Sequence, residues 1–172
     1  MRTFHKKDGG IVQLIGKEKM ESWSVELPLI FIEYIRSNKL ESYDDVKKDV
    51  EAYLDEILED VAIPRLIEIL EGDDNEEIIA ALERIKNIAD ENLDMTKPIK
   101  PYLEDLKNNQ NKEIKGITND ILKLFEREKR RKELNKRRKV MKKKEQQFMD
   151  GKISAEEYAK ARKDYIEFRD NR

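Results

Sequence analysis

Residues 62–90 read AIPRLIEILEGDDNEEIIAALERIKNIAD, and the spacing within them carries the architecture of the chain. Pro64 sits where a helix tolerates proline, in its opening turn, and Leu66, Ile67, Ile69 and Leu70 follow as an inward face. Gly72 and the GDDN run end that helix. Ile78, Ala81, Leu82, Ile85, Ile88 and Ala89 then recur at intervals of three and four, the period of an amphipathic helix. The pattern comes back further on. Pro64-Arg65-Leu66 aligns with Pro101-Tyr102-Leu103, 37 residues later, and Ile78, Ile85 and Ile88 align with Ile114, Ile121 and Leu124, 36 later. A short helix, a polar turn and a longer helix at such a period predict stacked helix pairs. Neither pair can bury both of its faces alone, so stacking must supply the core.

Outward from this centre, Val46, Val50, Tyr53, Leu54, Ile57 and Leu58 predict a helix over 44–60. A further helix is expected over 24–36, with Pro28 in its first turn and Leu29, Ile30, Ile32 and Ile35 as its apolar mass. The run LPLIFIEYI also satisfies a strand. Residues 2–15 predict two short strands around Asp8-Gly9-Gly10, whose glycines supply the positive φ of a tight hairpin. A two-stranded hairpin is marginal alone in water, so this one must lean on the helices that follow.

Composition narrows the function classes. Charged residues make up 43% of the 172 and the mean hydropathy is -0.88, against about 25% charge in ordinary soluble domains. Such a chain is helical and water-exposed, with little core per residue. Without cysteine it has no disulfide, thiolate zinc site or cysteine nucleophile. No apolar run approaches the roughly 18–20 residues that cross a bilayer, and no tripartite export signal opens the chain, so a soluble cytoplasmic protein without membrane contact is expected.

The net charge of -2 hides a division. Residues 41–94 hold 19 acids against 5 bases, whereas 126–145 hold 12 bases against 4 acids. That asymmetry suggests two regions with different partners, or regions that meet each other in self-association sensitive to salt. From Ile117 to Asp150 no proline or glycine intervenes, and strong helix formers dominate. A helix of about 30 residues would run about 45 Å, and beyond Phe125 it is too polar to be buried, so it should project. Its basic residues Arg127, Arg130, Arg131, Arg137, Arg138, Lys142, Lys143 and Lys144 form an electrostatic footprint for phosphate. They ring most of the helix. No aromatic lies between Phe125 and Phe148, which argues against stacking of single-stranded bases and favours backbone contact to a structured RNA or a ribonucleoprotein such as the ribosome.

After the Asp150-Gly151 turn, Ser154 and Glu157 form a capping box that opens a last helix. Tyr158, Ala161, Tyr165 and Phe168 can fold back on Val140, Met141 and Phe148 as an antiparallel helical hairpin of coiled-coil character. The same turn resembles the second half of a calcium-binding EF-hand loop. Its third ligand position would be Phe148, which offers no oxygen, so no metal is expected there.

Residues 62–90 resemble an armadillo or HEAT-type repeat through Ala62-Ile63-Pro64, Leu66-Ile67 with Leu70, Ala81-Leu82 and Asn87-Ile88-Ala89. Residues 99–125 resemble a degenerate second copy, so the likeness covers about 61–125. The resemblance implies a short α-solenoid, and it implies that Asn87 faces a concave groove that binds the backbone of an extended peptide. The chain departs from the armadillo pattern at Glu83, where an aromatic is expected, and at Lys123, where the second asparagine should stand.

Catalysis is not expected. His5 is the only histidine, no phosphate-cradling glycine loop exists, and the paired acids (Asp44-Asp45, Asp73-Asp74, Glu76-Glu77) lie on polar faces or in a turn. No cofactor is implied. The reading is therefore an all-α chain divided into an N-terminal hairpin (1–23), an acidic body of armadillo/HEAT-like helix pairs (24–125) and a protruding basic helical hairpin (126–172). Its expected role is that of a non-enzymatic adaptor whose basic arm contacts RNA. The alternative is a protein scaffold that offers the acidic face of 41–94 to a basic partner or to a second copy.

Overall fold

A computed structural model describes residues 1–21 and 26–171. The chain is mainly α-helical, with one two-stranded antiparallel sheet at its start. It divides into two units, residues 1–122 and residues 123 onward.

In the first unit, β1 (Arg2–His5) pairs with β2 (Ile11–Leu14), Phe4 opposite Val12. Gly9 takes the left-handed φ of +83° that the turn requires, and the Asp8 carboxylate accepts from the Gly10 N–H at 2.8 Å. That bond holds the Asp8 carboxyl below its ordinary range. The hairpin leans on the helices as expected. Val12 and Leu14 are buried, Arg2 pairs with Glu56 at 2.6 Å and lies over the Tyr53 ring, and the Lys7 N–H bonds the Asp45 carboxylate.

Helices α1 (Lys17–Glu21) and α2 (Glu26–Ser37) follow; the part of the expected 24–36 helix before Glu26 lies outside the described residues. Residues 26–37 are helical, so the rival strand over LPLIFIEYI does not form. Ile32 and Ile35 enter the core, whereas Ile30 is 51% exposed, because it lies on the opposite side of the helix from them.

The expected break at Pro64 is absent. Helix α3 (Lys47–Ile57) runs into α4 (Ile63–Leu70) through a wider, π-helical turn at Leu58–Ala62. Proline has no N–H to give the carbonyl four residues back, and here the Ile63 N–H bonds Leu58 O, five residues back. The extra residue in the turn absorbs the mismatch without ending the helix.

Helix α5 (Asn75–Glu91) is capped by Asp74, whose carboxylate accepts from the N–H groups of Glu76 and Glu77. Helix α6 (Lys100–Leu106) begins with Pro101 in its first turn, as α4 does with Pro64. Helix α7 (Lys112–Met149) starts five residues earlier than the reading from Ile117, passing through Gly116. Asn111, 37 residues after Asp74, accepts from Glu113 N and Ile114 N in the same way. Leu66 and Leu103 are both fully buried, as are Ile85 and Ile121. These pairs, 36 or 37 residues apart in sequence, are buried alike.

The Tyr53 side chain is 1% exposed and its hydroxyl has no hydrogen-bond partner among the described residues. Leaving a buried hydroxyl unpaired costs about 1–3 kcal/mol. Desolvation raises the Tyr53 pKa above its ordinary 10.0. A raised folded-state pKa means that the folded chain holds this proton more tightly than the unfolded one. The resulting stability is complete below pH 10 and is lost as pH rises through the folded value. Tyr53→Phe should therefore stabilise the protein by about 1 kcal/mol at neutral pH and flatten part of its alkaline destabilisation. Thermal melts of both proteins at neutral pH and above pH 10 check this; an unchanged alkaline slope in the phenylalanine variant would refute it.

Candidate nucleic-acid interface

The second unit holds the C-terminal part of α7 and helix α8 (Ala155–Asp170), joined by a turn at residues 150–154. The turn has a defined chemistry. Gly151, at φ +69°, donates to Phe148 O at 2.9 Å, and Lys152 N donates to Gln147 O at 2.8 Å, the paired bonds of a Schellman cap. Ser154 and Glu157 then form the reciprocal capping box that starts α8. Glu157 is thereby used as a helix cap.

The seam between the helices is amphipathic rather than dry. No residue from 126 to 171 is fully buried. Phe148 stacks on Tyr158 with ring centroids 5.6 Å apart, and Tyr158 donates its hydroxyl to Glu145. Leu134, Met141, Ala161, Tyr165 and Phe168 are half-buried. Val140 is not in the seam: it is 50% exposed, about 100° around the helix from Met141.

Two of the arginines expected to face phosphate are seam residues instead. Arg137 reaches Asp164 at 2.6 Å and Glu133 at 2.9 Å, and its guanidinium lies 4.4 Å from the centroid of the Phe168 ring. Arg130 covers the same ring at 5.1 Å and donates to the carbonyls of Phe168 and Asn171, satisfying orphan acceptors at the C-terminus of α8. Both charges close the hairpin. The bases therefore do not ring the helix as a uniform surface.

The remaining bases make no contact across the seam: some flank it and others lie on the far side of the helix. Arg127, Arg138, Lys142 and Lys143 are exposed, together with Lys129, Lys136 and Lys139, and Lys144 is half-buried at the seam's edge. Among the described residues these eight make no ion pair. Arg131 and Lys132 share Glu128, at 2.7 and 3.6 Å. Glu128 is the one acid on this outward side between Arg127 and Lys143. Lys129, Lys132, Lys136 and Lys139 were absent from the set expected from sequence. Their signal was their position on the helix opposite Leu134 and Met141.

No protein-family model, no curated protein and no solved structure matches this chain. The geometry alone must carry a functional reading.

Asn87 belongs to the first unit. It is exposed and lines an open cleft of about 540 Å³ between α2, α3 and α5. Leu29, Ile32, Leu58, Ile88 and Met95 give the cleft an apolar lining, and Glu33, Asp55, Asp90 and Glu91 give it acids. Arg36 spans two of those acids, at 3.3 Å from both Asp55 and Glu91. Lys123, at the position one period after Asn87, is part of the second unit. His5 stands exposed on β1. Among the described residues no helix is long and apolar enough to cross a membrane.

Proposed function

We propose that this protein is a non-enzymatic RNA-binding adaptor whose α7 presents an outward basic face to the phosphate backbone of a structured RNA or ribonucleoprotein. One observation carries the reading: α8 covers one side of α7 and consumes Arg130 and Arg137, leaving an exposed surface with many bases and a single acid. Unpaired exposed cations in such density repel one another, and phosphates relieve that repulsion while releasing condensed counterions. The helix pairs of about 61–125, whose sequence resembles armadillo/HEAT-type repeats, would belong to the helical body that accompanies this element in the chain.

The test is an anisotropy titration of a structured RNA hairpin across a salt series. Replacing Arg127, Arg138, Lys139, Lys142 and Lys143 with glutamine removes charge without touching the seam. Each phosphate contact contributes about 0.7–0.9 to the slope of log K against log salt, so removing five should lower the slope by about 3.5 to 4.5. Its affinity at moderate salt should fall by about a hundredfold or more. A variant that binds like the parent would sink the RNA reading. The rival scaffold reading, in which the acids of 41–94 hold a basic protein, predicts no RNA binding by either chain.

A further inference from the structure

The outward bases of α7 are sorted into two rows. At about 100° per residue, Arg127, Arg131, Arg138 and Lys142 fall within about 60° of one another around the helix. Lys129, Lys132, Lys136, Lys139 and Lys143 fall within about 80°, centred about 130° from the first row. One row is mostly arginine and the other entirely lysine. Each extends over about 21–23 Å of helix, and on a cylinder about 10–12 Å across they stand about 10 Å apart. The strip between them is polar and short of charge: Asn135 is exposed there, and Glu128, 21% exposed, is shared by Arg131 of one row and Lys132 of the other.

A single strand of nucleic acid offers one line of phosphates. It can be followed by one row, and a second row a third of a turn away would face solvent. A double helix offers two lines, one on each side of a groove. An α-helix cannot enter the deep, narrow major groove of A-form RNA, but it can lie along the wide, shallow minor groove, where phosphates border both sides and 2′-hydroxyls line the floor. In that position Asn135, with both a donor and an acceptor, faces the 2′-hydroxyls. The absence of an aromatic on this face removes the usual means of holding unstacked bases.

We infer that the nucleic acid this face takes is a double-helical RNA segment, gripped across its minor groove with one row of bases on each strand. The inference rests on the RNA reading above and makes it more specific. The two rows act together, so losing either one releases one strand and should weaken duplex binding as much as losing the other.

The experiment uses the full chain and two variants whose changes lie on the exposed face. One carries Arg127→Gln, Arg131→Gln and Arg138→Gln; the other carries Lys136→Gln, Lys139→Gln and Lys143→Gln. Circular dichroism first confirms equal helix content. Each protein is titrated with a two-turn RNA duplex, an oligouridine strand of the same length and a DNA duplex of the same length, at several salt concentrations. The expected result is RNA-duplex binding by the parent at least about tenfold tighter than oligouridine binding, with each variant losing about tenfold or more and about two to three units of salt slope. Oligouridine binding as tight as duplex binding overturns the inference while leaving RNA contact intact. So does one variant that binds the duplex like the parent while the other fails. Tighter binding to the DNA duplex overturns the assignment to RNA. Absence of any nucleic-acid binding at low salt removes the RNA reading itself, and this inference with it.

Discussion

Ile85→Ala is expected to destabilise residues 1–122 by about 3 kcal/mol, and Ile121→Ala by a similar amount. Both side chains are 0% exposed, and they stand 36 residues apart, on the helices that follow α4 and α6. Truncating a buried isoleucine removes its transfer free energy and leaves a cavity that close-packed neighbours fill only in part. Against a total stability of about 5–15 kcal/mol for a domain of this kind, either change is a large share. Ile30→Ala serves as the control: that side chain is 51% exposed and its loss should cost under about 0.5 kcal/mol. The chain divides into two units, so a probe confined to the first is the better measure. Hydrogen exchange at the amides of α5 reports the first unit directly. If Ile121→Ala costs less than about 1 kcal/mol while Ile85→Ala costs the full amount, the two positions are not equivalent, and the period is an accident of sequence.

Helix existence was legible wherever apolar residues kept the spacing of three and four. That spacing puts Ile78 and Ile85 on an inward face, the 36-residue recurrence matches them to Ile114 and Ile121, and all four are buried. What periodicity could not supply was the connection between helices. Pro64 is a strong stop signal in sequence, yet the chain passes it by widening one turn, a backbone adjustment that leaves no mark in residue types. The early start of α7 was hidden for a related reason. Gly116 costs a helix about 0.5–1 kcal/mol relative to alanine, a penalty that the buried Ile114 and Ile121 on either side outweigh.

The candidate site divides along the same line. That residues 126–145 are basic was plain from composition, and so was the lack of aromatics among them. Which bases face outward depends on where the partner helix lies. Arg130 and Arg137 are seven residues apart and share a side with Leu134 and Met141, so their place in the seam followed from the same wheel that placed those apolar residues. Charge alone groups them with the other arginines. In a seam with no fully buried residue, a guanidinium over an aromatic ring takes the part that a leucine plays in a dry core.

That substitution makes the last prediction. Phe168→Ala should destabilise the hairpin of α7 and α8 by about 2 kcal/mol, roughly half of what a fully buried phenylalanine would cost, because this ring is half-exposed. It removes the apolar face against α7 and the ring beneath both Arg130 and Arg137 at once. Arg137→Ala should reproduce about half of the loss, since Phe168 keeps Arg130 while Asp164 and Glu133 lose their partner. Arg138→Ala, one residue along and on the outward face, should leave stability within about 0.5 kcal/mol while weakening RNA binding. The seam is thin, so the expected readout is local: amides of α8 exchange about thirtyfold faster in the Phe168 variant and about fivefold faster in the Arg137 variant, while those of α5 do not change. The pair Arg137 and Arg138 thus tests the hairpin contact against the proposed phosphate contact. If both alanine variants weaken RNA binding equally and neither alters exchange in α8, the two arginines share one role, and the division between seam and outward face is wrong.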